Sequence, residues 1–180
     1  MAISGTVSTS TGSRSGRRTR RRSLAGALAA AALALGGVVA TAGPAAALTH
    51  ADAAAQLSAA GIGISSSGGC TDRGTPTCTS LDGVRQATVS GAVTLAGASG
   101  CSLTVTGGTE VGHADGTYSH HNGYKLDFSL SSCLTSYVTS TFTYVGERGD
   151  GAALYRAGSG NEYAREGSHW DVTFYSCGGC

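Results

Sequence analysis

The sequence predicts an α+β fold in which N-terminal helices pack on an antiparallel sheet stapled by disulfides. Three observations carry this. Helix formers dominate residues 49–60 and helical spacing the stretch from residue 80, the period changes to two after residue 100, and all six cysteines fall after residue 69. THADAAAQLSAA (49–60) consists of strong helix formers, with Thr49 as candidate N-cap and Gly61 as the stop. Residues 62–79, rich in Gly, Ser, Thr and Cys and containing Pro76, read as a loop pinned by its cysteines. A second helix is expected from Ser80, with Leu81, Val84, Thr88, Ala92 and Leu95 on one face and Gly97 and Gly100 ending it. CSLTVTG (101–107), YKLDFSL (124–130), SYVTSTFTYV (136–145), AALYRA (152–157) and HWDVTFYS (169–176) then alternate as strands. Glycine-rich turns separate them, notably GERGDG at 146–151.

The first 47 residues read as an export signal and not as fold material. RSGRRTRRR (14–22) supplies a positive segment, an apolar run follows from Leu24 to Ala42, and Ala45 and Ala47 form a small-residue cleavage site. The domain is therefore expected over residues 48–180, secreted, monomeric and free of the membrane once the signal is removed. The chain has 12 Lys+Arg and 11 Asp+Glu; six arginines and no acids lie in the signal, so the remainder carries 6 − 11 = −5. That balance gives nucleic acid no basic surface to bind. Six cysteines in an exported domain of this size argue for disulfides, expected as Cys70–Cys78, Cys101–Cys133 and Cys177–Cys180.

Chemistry concentrates around the histidines. His113, His120 and His121 crowd into GHADGTYSHHNGYKLDF, and His169 closes REGSHW. A zinc site needs ligands with free lone pairs, usually imidazoles and a carboxylate. Asp127 follows His120 by seven residues, with a turn expected at Asn122-Gly123 between them. On a strand Asp127 points away from its apolar neighbours Leu126 and Phe128, where a buried charge needs a cation or a partner. Glu166, three residues before His169, is placed to take a proton from an attacking water and return it to a leaving amine. His121 points elsewhere than its neighbour, and His50 is a helix-start residue without chemistry.

Taken together, S-H-x-x-G-x-x-x-D (Ser119, His120, Gly123, Asp127) followed about 40 residues later by E-x-x-H-W (Glu166, His169, Trp170) resembles the zinc D-Ala-D-Ala peptidase family. That family comprises carboxypeptidases, dipeptidases and murein endopeptidases with the Hedgehog-like fold. The resemblance covers residues 80–176. It implies zinc bound by His120, Asp127 and His169, Glu166 as general base, and peptidoglycan peptides as substrate. A departure stands at Thr109 and Glu110, where the family commonly carries a substrate-binding arginine; Arg148, Arg156 and Arg165 are the candidates to replace it. Thr109, Glu110 and Tyr118 are the expected substrate contacts, Glu110 either holding a free amine or serving as a satisfied turn residue. His113 joins Glu166 as a catalytic candidate, donating to a developing oxyanion, or is a polar loop residue. Tyr118, Tyr124 and Trp170 frame the cleft or pack the sheet. The alternative from another class is a non-catalytic zinc-containing module that binds wall peptides.

Overall fold

A computed structural model describes residues 47–179 of the chain; the expected export signal lies outside them, apart from its last residue. Helix α1 runs His50–Ala59, and Thr49 caps it as expected, its hydroxyl accepting from the Asp52 amide. Gly61 ends it with φ +74. A two-residue strand β1 (Gly63–Ile64) follows, then the loop closed by Cys70–Cys78, then α2 (Gln86–Ser99). The second helix thus begins at Gln86 and not at Ser80. The reason is that backbone groups around Ser80 are already engaged: the Ser80 amide donates to Glu110, its carbonyl accepts from the Thr109 amide, and the Leu81 amide donates to His50 Nδ1. The face chosen for it is nonetheless buried from Leu81 to Leu95.

Strands β2 (Thr104–Gly107) and β3 (Lys125–Ser129) precede a third helix, α3 (Ser132–Thr141). Residues 136–141, expected in a strand, are helical. Ser131 caps the Leu134 amide, and Leu134 and Val138, one helical turn apart, bury completely. Strands β4 (Thr143–Glu147), β5 (Ala153–Arg156), β6 (Glu162–Arg165) and β7 (His169–Thr173) complete a seven-stranded sheet in the order β1-β2-β3-β7-β6-β5-β4. It is mixed and not purely antiparallel, because β1 pairs parallel to β2. Cys101–Cys133 ties the end of α2 to the start of α3. The third expected pair includes Cys180, which lies outside the described residues. No helix among the described residues is long and apolar enough to cross a membrane.

Strand register divides the sheet into two faces. Phe128 opposes Trp170 and Leu126 opposes Val172, and all four are fully buried in the core shared with residues of all three helices. The tight seam is at Gly91 of α2, where a Cβ would stand 2.4 Å from the Phe174 ring. The intervening residues Lys125, Asp127, His169 and Asp171 alternate to the opposite face. There the sequence has placed its charges.

Candidate metal centre

The loop between β2 and β3 delivers His113 and His120, and β7 delivers His169. It is braced from outside by the cysteine loop: Arg73 donates to the carbonyls of Thr109 and His121, and the Val111 amide donates to the Arg73 carbonyl. Gly108 passes so close to Ser80 that a Cβ would meet its carbonyl oxygen at 2.0 Å. Gly123 has φ +73, and a Cβ there would lie 2.5 Å from the Gly83 carbonyl. The glycine of the H-x-x-G-x-x-x-D pattern thus has a mechanical role. It turns the chain beneath residues 83–85 so that His120 and Asp127 meet.

They meet at the base of a cleft of about 540 Å³. His120 is 3 % exposed, and its Nδ1 lies 2.6 Å from the Gly108 carbonyl, which fixes Nδ1 as the donor. Nε2 therefore faces inward, 3.2 Å from Asp127 Oδ1 and 3.7 Å from Asp171 Oδ1. His169 Nε2 approaches the same Asp127 oxygen at 3.4 Å, while its Nδ1 is 3.0 Å from the Ser168 hydroxyl. Gly107, opposite Asp127 on β2, makes room for the carboxylate; a Cβ there would stand 2.3 Å from Asp127 Oδ2.

His113 stacks on His120 with ring centroids 3.8 Å apart. Its Nε2 is 3.1 Å from Glu110 Oε1, and its Nδ1 is 3.8 Å from Asp127 Oδ2. With Nε2–H given to Glu110, Nδ1 presents a lone pair to the cleft, which suits a metal ligand better than an oxyanion donor. His113, His120 and Asp127 form a group whose ligand atoms lie within 4.8 Å of one another and can hold a metal ion.

Three features fit a cation. Asp127 Oδ1 is buried without a hydrogen-bond partner although two imidazole nitrogens stand beside it. Both nitrogens lie close enough to share a cation with that oxygen, at 3.2 and 3.4 Å, although His169 is not in the group whose ligand atoms all lie within 4.8 Å of one another. The cleft is also lined by four carboxylates (Asp127, Asp150, Glu166, Asp171) against Lys125 and Arg148, a surplus of 4 − 2 = 2 negative charges that a divalent cation balances.

Without a metal, a proton takes that place. Burial pulls the His120 imidazolium down, but the carboxylates of Asp127 and Asp171 outweigh it and raise its pKa to about 9. A histidine whose pKa is raised on folding stabilises the fold fully below its ordinary value of 6.5, and that contribution is lost as pH rises through about 9. The expected result is a melting temperature of chelator-treated protein that falls between these pH values, measured by calorimetry, and a proton released on metal addition at pH 7.5. A flat profile with no proton release contradicts it.

Asp171 is the site residue that motif reading passes over. It opposes Asp127 across the β3–β7 ladder, its Oδ2 accepts from Lys125 at 2.7 Å and from Arg148 at 2.6 Å, and its Oδ1 has no hydrogen-bond partner. Burial would raise its pKa, yet His120 and Lys125 hold it well below the usual carboxylate range. The period-two spacing of His169 and Asp171 was the available signal.

Of the three candidate arginines, only Arg148 enters the cleft. It stands on the turn between β4 and β5, pairing with Asp150, Asp171 and Glu166, and remains firmly protonated. Arg156 pairs with Glu162, and Arg165 lies over the Trp170 ring. Glu166 Oε2 stands 3.3 Å from His169 Nε2.

Other expected contacts fall elsewhere. Thr109 is fully buried, donating to the Asp82 carbonyl, and Glu110 accepts from the Ser80 and Gly108 amides and faces His113. Both are loop scaffold outside the cleft lining, which makes Glu110 the satisfied turn residue. Burial would raise the Glu110 pKa, but His113 and the two amides keep it low. Tyr118 sits on a neighbouring hollow, while Trp170 packs in the core with Nε1 donating to Thr135. His121 is exposed, and His50 begins α1.

Fold and site together define an α+β domain with a candidate metal centre on the helix-free face of its sheet. Comparison with family models, with curated proteins and with solved structures finds no match.

Proposed function

We propose that this protein is a secreted zinc metallopeptidase that hydrolyses peptide bonds of bacterial cell-wall peptidoglycan, as a D,D-carboxypeptidase or an endopeptidase. One observation carries the reading: the unpartnered Asp127 Oδ1 with His120 and His169 Nε2 at 3.2 and 3.4 Å, directly beside Glu166. The motif resemblance supports the peptidoglycan substrate, and the disulfides support an oxidising destination.

His120, Asp127 and His169 are the assigned ligands. Zinc bound there would lower the pKa of a water and polarise the scissile carbonyl. The Gly108 carbonyl holds the His120 ring by Nδ1, so that Nε2 is the nitrogen that would give up its proton to bind the metal. Arg148 holds Glu166 Oε1, leaving Oε2 beside His169 to receive a proton from the attacking water. Oε2 then returns that proton to the leaving amine. The guanidinium of Arg148 brings positive charge to the cleft from the β4–β5 turn, where the family pattern draws it from the position of Thr109 and Glu110.

Digestion of purified peptidoglycan with the zinc-loaded chain, followed by mass spectrometry, tests this: new amines at a defined peptide bond are expected, and none appear if the protein only binds. The ligand assignment has its own test, because His113 and His169 flank the same carboxylate from two sides. His169→Ala is expected to lose stoichiometric zinc, measured by elemental analysis, while His113→Ala retains it. The reverse outcome would move the third ligand to His113.

A further inference from the structure

A second hollow of about 190 Å³ adjoins the metal cleft on the same face of the sheet, and the two share Lys125, Arg148 and Asp171. Its rim is aromatic. Tyr118 and Tyr175, 48 % and 41 % exposed, meet edge to face at 4.8 Å, and Tyr124 stands edge-on behind Tyr118 at 4.9 Å. Exposed rings gathered at one hollow mark a binding surface more often than isolated ones do.

The charges indicate what it takes. Lys125 and Arg148 are both committed to Asp171 Oδ2. Glu162 is committed to Arg156 through Oε1 and to the Tyr175 hydroxyl through Oε2. Each charge in the hollow thus has its counter-charge within the protein, so an ionic ligand gains no unpaired partner there and must displace one. What remains on offer is aromatic surface edged by hydrogen-bonding groups, the Tyr175 hydroxyl and Thr173 among them.

We infer that this hollow is a subsite for an uncharged pyranose seated in the corner that Tyr118 and Tyr175 form at 77°, the C–H face of its ring on one tyrosine and its edge against the other, while its hydroxyl and amide groups bond to the polar edge. Its biological meaning rests on the proposed wall substrate: a peptide in the metal cleft would remain attached to a sugar of the glycan strand seated next door. The sugar is thereby a specificity element, distinct from the groups that act on the peptide bond.

The test uses the full exported chain and a β-1,4-linked tetrasaccharide of N-acetylglucosamine carrying no peptide. Titration followed by NMR is expected to shift tyrosine ring resonances, with and without chelator. Tyr118→Ala and Tyr175→Ala are each expected to weaken binding about tenfold, and Tyr118→Phe to preserve it. Absence of tyrosine shifts in the unaltered protein overturns the inference, as does undiminished affinity in both alanine variants. Shifts of the same rings by a stem peptide alone, with none from the tetrasaccharide, also overturn it. Because no peptide is cleaved in this titration, sugar binding by a chain that hydrolyses nothing leaves the subsite standing and removes the peptidase reading.

Discussion

Asp127→Asn is expected to abolish stoichiometric zinc binding. The carboxylate is approached by all three histidines of the cleft: His120 and His169 reach its Oδ1, and His113 reaches its Oδ2. An amide keeps the shape but surrenders the charge, and its NH₂ would direct hydrogens at the neighbouring imidazole nitrogens. Loss of outer-shell partners alone costs about 10- to 100-fold in metal affinity, so loss of this ligand should exceed about 100-fold. Competition titration with a chromogenic chelator measures it. The variant should also stop gaining thermal stability from added zinc. Undiminished affinity in Asp127→Asn would remove the metal centre from this place in the fold.

Glu166→Gln is expected to retain the metal and lose the reaction. Its side chain lies beside His169 and is held by Arg148, while the buried oxygen that collects the imidazoles belongs to Asp127. General acid–base catalysis contributes about 10²- to 10⁴-fold, and kcat on a peptidoglycan fragment should fall by that factor with zinc content unchanged. If Glu166→Gln turns over substrate at the original rate, the proton passes through another group of the cleft.

Much of this is legible in the sequence. Alternation around Leu126-Asp127-Phe128 placed the aspartate on the face away from the core, and the cap at Thr49 and two disulfide pairs were readable from residue type and spacing. The third helix was not. Residues 131–141 are mostly Ser, Thr and β-branched side chains, whose local preference is extended, and burial of Leu134 and Val138 overrides it. Strand β6 was missed because EYAR offers little alternation; the ladders on both sides make it a strand. Within the site, Asp171 and Arg148 were illegible as a pair. Their contact spans 23 residues of sequence and depends on a hairpin whose direction no local pattern encodes.

The odd–even split of β3 and β7 has a consequence for how such a domain can change over time. Phe128, Trp170 and Val172 answer to the packing of the helices, whereas Asp127, His169 and Asp171 answer only to what enters the cleft. Selection for a new substrate or a different ion can therefore act on one set while the other keeps the domain folded. The two requirements collide chiefly at Gly107 and Gly123, where no side chain fits and the scaffold itself touches the chemistry. Each face can then change under its own constraint, whereas the glycines are held by both.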